Sequence, residues 1–89
     1  MAWTIEFEDA AKKELAKLDK TIALRILKFL SGRVAPLENP RSIGEALKGS
    51  ALGEFWKYRV GDYRIIGRIV DAKITIIVIR IGNRRDVYR

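Results

Sequence analysis

Along the chain the spacing of apolar residues shifts from two to between three and four and back to two, and each shift predicts a change of element. Trp3, Ile5 and Phe7 alternate with Thr4 and Glu6, the period of a strand with one buried face. After Glu8 and Asp9, acidic residues suited to a helix start, Ala11, Leu15 and Leu18 form one stripe of a helix with lysines on its other side. Asp19 is the expected N-cap of a second helix, from about Lys20 to Val34, with Ile22, Ile26, Phe29, Leu30 and Val34 on one face. Leu24 and Leu27 widen that face, either as further core or as a docking surface. The stretch from Ala35-Pro36 to Asn39-Pro40 ends the helical hairpin, and Arg41 to Ser50 reads as a turn or short helix.

From Phe55 the period is that of strands: Phe55 to Val60, Tyr63 to Val70 and Lys73 to Ile81, joined at Gly61-Asp62 and Asp71-Ala72. The expected fold is α+β: an N-terminal strand, a two-helix hairpin and a three-stranded antiparallel meander, forming one twisted sheet with the helices on one face. A two-residue turn at Gly61-Asp62 pairs Val60 with Tyr63, Arg59 with Arg64, Tyr58 with Ile65 and Lys57 with Ile66. Trp56, Tyr58, Val60, Tyr63, Ile65 and Ile69 then share the face on which helices would sit, and Lys57, Arg59, Arg64 and Arg68 share the other. The run from Ile74 to Ile81 is apolar on both faces apart from Thr75 and Arg80, which suits an interior strand.

Charge gives the second face a meaning. The 89 residues, expected to form a single domain, hold 18 Lys and Arg against 11 Asp and Glu, a net charge of +7. So small a cationic protein attracts polyanions, nucleic acid first. Like charges directly opposite on a sheet are destabilising, so Arg59 against Arg64 suggests a face kept for an anion. The closing Arg84-Arg85-Asp86-Val87-Tyr88-Arg89 adds guanidinium groups suited to phosphate oxygens and a phenol suited to stacking on a base, although alone it also reads as a solvated basic tail. Whether Arg84 lies over Arg59 and Arg64 depends on the turn at Asp71. Cysteine and histidine are absent, which excludes thiol chemistry and makes a zinc site improbable, so neither metal nor cofactor is expected. The N-terminus lacks the pattern of a signal peptide and no apolar run reaches membrane-span length, so a cytoplasmic protein is expected.

Leu47-Lys48-Gly49, the run from Phe55-Trp56-Lys57-Tyr58-Arg59 through Gly61-Asp62-Tyr63-Arg64, and the closing Ile81-Gly82-Asn83-Arg84-Arg85-Asp86-Val87-Tyr88-Arg89 resemble the RelE branch of the RelE/ParE toxins. The resemblance covers nearly the whole chain. It implies the toxin of a type II toxin–antitoxin pair, which enters the A site of the 70S ribosome and cleaves mRNA by attack of a 2′-hydroxyl on the adjacent phosphate. By position Lys57, Arg64, Arg84 and Tyr88 match residues the family uses. Their chemistry fits: Arg64 and Arg84 for charge developing on the phosphoryl oxygens, Lys57 as general base, Tyr88 to stack on a base or donate a proton. Lys48, Arg59, Arg68, Arg85 and Arg89 are expected to contact RNA, and an acidic antitoxin is the implied protein partner. Phe55 departs from the pattern, standing where the best-known members carry a second lysine. A ParE-like gyrase poison is the alternative, disfavoured by Arg84 together with Tyr88, and a non-toxic RNA-binding module is a third reading.

Overall fold

The computed structural model describes residues 2–47 and 55–83. Thr4–Phe7 forms strand β1, followed by helices α1 (Asp9–Lys17) and α2 (Lys20–Phe29), as the stripes predict. Asp19 occupies the N-cap position of α2, but its side chain makes no capping bond. The second helix does not stay α-helical to Val34: Leu30–Val34 winds as a π turn in which the Ala35 amide reaches back to the Leu30 carbonyl at 2.9 Å. Pro36 offers no amide to continue the ladder, and the wider turn keeps Leu30, Val34 and Ala35 all buried.

The segment read as a turn or short helix holds both a short 3₁₀ turn, Pro40–Ser42, and a strand, β2 (Glu45–Ala46). Two residues carry no periodicity, so β2 leaves no trace in the hydrophobic pattern. The remaining strands are β3 (Phe55–Val60), β4 (Tyr63–Val70) and β5 (Thr75–Asn83). Gly61 has φ +60°, the left-handed value that the first central position of a type II′ hairpin requires, and the register matches every predicted pair from Val60–Tyr63 to Lys57–Ile66.

The sheet has five strands in the order β1-β5-β4-β3-β2, with β1 parallel to β5 and every other pair antiparallel. The expected meander is there, extended by one strand at each edge, and β5 is interior as its apolar composition predicts. The second turn is longer than Asp71-Ala72. Asp71–Lys73 makes a 3₁₀ turn and Ile74 adopts φ 49°, a left-handed conformation unfavourable for a β-branched residue. The Ile74 amide donates to the Asp71 carbonyl at 3.1 Å and the Ile74 carbonyl accepts from Thr4 at 3.0 Å, which together hold it there.

Both helices pack on one face of the sheet. Ala11, Ile26, Leu30 and Val34 meet Tyr58, Val60, Ile65, Ile69, Ile76, Val78 and Ile81 in one buried cluster. Val78 and Ile81 are three residues apart, which a regular strand cannot bury together. A bulge resolves this: Gly67 pairs with Val78 and Ile66 with Arg80, so Ile79 is the extra residue and Arg80 turns outward. Leu24 and Leu27 are 47% and 37% exposed and lie outside the core.

Candidate nucleic-acid interface

Lys57, Arg59 and Arg64 come together on the sheet face opposite the helices. Arg59 and Arg64 are directly opposed across β3 and β4, where side chains lie about 5 Å apart at Cβ. Lys57, two residues along β3 from Arg59, is about 6.6 Å away on the same face. With Gly44, Glu45 and Tyr58 the three cations line one shallow cleft of about 40 Å³. On its other side Arg64 pairs with Gly82 of β5.

Burial separates the three cations. Arg59 is exposed and Lys57 half-buried, but Arg64 is only 6% exposed. Arg64 lies on the face opposite the helices, as the alternation predicts, but it is buried there as no basic residue of that face was expected to be. It lies on the same face as buried Ile66, and among the described residues no carboxylate is paired with it. A guanidinium held largely out of water attracts an anion more strongly than one on an open surface. Arg68 pairs with Phe55 at the far end of β3, four residues and about 13 Å along β4 from Arg64, and does not line the cleft. The remaining residues expected to act, Lys48, Arg84, Arg85, Tyr88 and Arg89, lie outside the described residues.

Gly44 and Glu45 form one wall of the cleft, anchored by the bonded segment 39–43 before them, and this wall is what the sequence reading missed. The Asn39 side chain accepts from the Arg41 amide at 3.0 Å, and Ser42 Oγ donates to the Asn39 carbonyl at 2.8 Å. Trp56 Nε1 donates to the Ile43 carbonyl and Tyr58 Oη to the Pro40 carbonyl, each at 2.7 Å. Arg41 grips Asp71 through two bonds of 3.0 and 2.9 Å, a fork that draws the Asp71 carboxyl below the usual carboxylate range. Burial pushes the Tyr58 hydroxyl up to about 12, against a smaller opposing effect of Arg41. At Gly44, with φ +81°, a Cβ would fall 2.5 Å from the Lys57 carbonyl oxygen and 2.7 Å from Trp56 Nε1. Only glycine allows so close an approach, and it lets the next residue, Glu45, pair directly with Lys57. An acidic residue thus stands among the cations, signalled in the sequence only by an isolated Gly-Glu after the proline turn.

The model for the ParE toxin of the type II toxin–antitoxin system parDE matches residues 5–88. The chain belongs to the RelE/ParE toxin family. Within that family it is 32% identical over 89 residues to toxin RelG of Mycobacterium tuberculosis (strain ATCC 25618 / H37Rv), covering 100% of this chain and 99% of that protein. It is 33% identical over 90 residues to the mRNA interferase toxin RelE of Escherichia coli (strain K12), covering 99% and 92%. A chain of the crystal structure of the toxin–antitoxin complex RelBE2 from Mycobacterium tuberculosis superposes with a TM-score of 0.83 at 28% identity, covering 97% of this chain and 95% of that one. The RelE/ParE fold is thus matched along nearly its full length, in agreement with the α+β architecture expected from the sequence.

Proposed function

We propose that this RelE/ParE toxin is an mRNA interferase, a single-domain endoribonuclease that cleaves messenger RNA in the A site of the 70S ribosome and so inhibits translation. The observation that carries the reading is the buried Arg64 beside Lys57 and Arg59 in one cleft. Likeness over the full length to a relative named as an mRNA interferase supports it.

Lys57 accepts the proton of the 2′-hydroxyl. The 2′-oxygen then bonds to the adjacent phosphorus as the bond from phosphorus to the 5′-oxygen breaks, leaving a 2′,3′-cyclic phosphate and a 5′-hydroxyl. Negative charge grows on the phosphoryl oxygens in this step, and the largely desolvated guanidinium of Arg64 meets it. Exposed Arg59 and Arg68 contact the phosphates on either side. Arg84 and Tyr88 enter by their match to the family: Arg84 as a second guanidinium on the phosphoryl group, Tyr88 stacking on a base or returning the proton to the 5′-oxygen. Lys48, Arg85 and Arg89 add positioning contacts. The chemistry needs no cofactor.

The partners are the translating ribosome with its message in the cytoplasm, and a cognate antitoxin, as in the RelBE complexes that this chain resembles. Leu24 and Leu27, exposed on α2 beside Arg25 and Lys28, suit an acidic amphipathic segment of that antitoxin. Among the described residues no helix is long and apolar enough to cross a membrane.

The test is primer extension on messenger from ribosomes translating in the presence of the purified protein. Cuts within the A-site codon are expected, and Arg64→Ala should slow them on the order of hundredfold, about 2.7 kcal/mol. Intact messenger together with gyrase-dependent DNA breaks would overturn the reading in favour of the alternative, a ParE-like gyrase poison.

A further inference from the structure

Strand β1 ends before its neighbour does. It pairs with β5 as far as Phe7 and Val78, and the Glu8 amide donates to the Val78 carbonyl at 2.9 Å before the chain turns into α1. From Ile79 to Asn83 β5 therefore runs on, among the described residues, without a strand on that side. The carboxylate of Glu14 takes the place of the missing partner. It lies one turn of α1 beyond the fully buried Ala11 and so faces the sheet. Its Oε1 accepts from the Ile81 amide at 2.8 Å and its Oε2 from Arg80 Nε at 3.3 Å.

The position of this bond in the ladder gives it significance. Ile81 is paired with Ile65, the next rung is Gly82 with Arg64, and the one after is Asn83 with Tyr63. Glu14 thus grips β5 one residue before the rung that holds Arg64, just after the bulge at Ile79 has interrupted the regular pairing. Arg84 is the next residue in the sequence after Asn83.

We infer that Glu14 is a positioning residue for the phosphate site: by replacing β1 at the end of β5 it fixes Gly82 and Asn83 against Arg64, and with them the point from which Arg84 leads on. The inference rests on the ribonuclease reading above. Both oxygens are used differently, which separates two roles. Oε1 serves the strand and could be replaced by an amide oxygen, whereas Oε2 serves an exposed ion pair with Arg80 that contributes little.

The experiment compares Glu14→Ala, Glu14→Gln and Arg80→Gln in the full chain, by amide hydrogen exchange and by single-turnover cleavage on programmed ribosomes. In Glu14→Ala, exchange at Ile81, Gly82 and Asn83 is expected to accelerate at least about tenfold while that of Ile76 is unchanged. The cleavage rate constant is expected to fall by about tenfold, with the half-saturating ribosome concentration within about twofold of the parent, as misplacement without lost binding requires. Glu14→Gln should recover most of both, and Arg80→Gln should resemble the parent. Wild-type cleavage by Glu14→Ala, or unchanged exchange at Ile81, overturns the inference, as does a loss confined to ribosome affinity. If Glu14→Ala does not fold, parental exchange and cleavage in Glu14→Gln support the inference and losses in that variant overturn it. If the parent protein leaves messenger intact, the ribonuclease reading fails by itself, and exchange at Ile81 to Asn83 alone decides whether Glu14 holds the strand.

Discussion

The two faces of the central hairpin are built from alternate residues of the same strands, yet they obey different rules. On one, Tyr58, Val60, Ile65 and Ile69 disappear beneath the helices, where burial rewards any apolar side chain of fitting volume. On the other, Arg64 is as well buried as Ile69, but what it gains from burial is orientation and a strong field, at a cost to the fold. The same degree of exclusion from water therefore stabilises on one face and, on the proposed reading, readies a charge for an anion on the other. Exposure by itself does not tell core from site; the chemistry of the buried group does.

The largest expected effect comes from breaking the helix-covered face. Ile65→Ala removes a side chain that is fully buried and should cost about 2–5 kcal/mol in denaturant unfolding, enough to endanger a domain of this size. Arg64→Met is the matching change on the other face and should have the opposite character. Replacing a buried guanidinium that has no carboxylate partner among the described residues with an apolar chain of similar length should leave unfolding stability equal or higher, while cleavage falls on the order of hundredfold. A large loss of stability in Arg64→Met would show that the arginine is structural and would erase the contrast.

Tyr58→Phe is a smaller perturbation and touches both faces, because the ring belongs to the core and the hydroxyl anchors the cleft wall. Losing the donor to the Pro40 carbonyl should cost about 1–2 kcal/mol. The pH dependence sharpens this. The folded state holds the Tyr58 proton up to about 12, whereas the unfolded chain loses it near 10. The stabilisation is therefore complete below about pH 10 and is lost as the pH rises towards about 12. Thermal melts across that window should show a decline in the parent protein that Tyr58→Phe flattens. The smallest effect is expected from Arg59→Gln: removing the charge opposite Arg64 should raise stability by a few tenths of a kcal/mol and weaken RNA binding in a salt-dependent way.

Features set by short-range rules are legible in the sequence alone. A glycine at the first position of a two-residue turn dictated the register of β3 and β4, and period two then assigned Lys57, Arg59 and Arg64 to one side and Tyr58 and Ile65 to the other. Features set by tertiary geometry were not. Two residues of β2 are too few for a period, and its place beside β3 follows from the close approach at Gly44, which involves residues more than ten positions away. The burial of Arg64 likewise depends on neighbours that alternation cannot rank, and the parallel pairing of β1 depends on how the helical hairpin returns the chain. The role of the Glu14 carboxylate is not legible either, because its bond to the Ile81 amide joins residues 67 positions apart.

The bulge at Ile79 gives β5 an unusual tolerance to loss of a residue. Removing one residue from a regular strand inverts every side chain beyond it, so such deletions are usually ruinous. In β5 the extra residue is Ile79 itself, and without it Arg80 would still oppose Ile66, Ile81 would still oppose Ile65, and both would keep their present sides. Evolution by single-codon deletion, ordinarily closed to the interior of a sheet, is therefore open at this one point. What such a chain would surrender is the local kink and added twist with which the strand reaches Gly82 and Asn83.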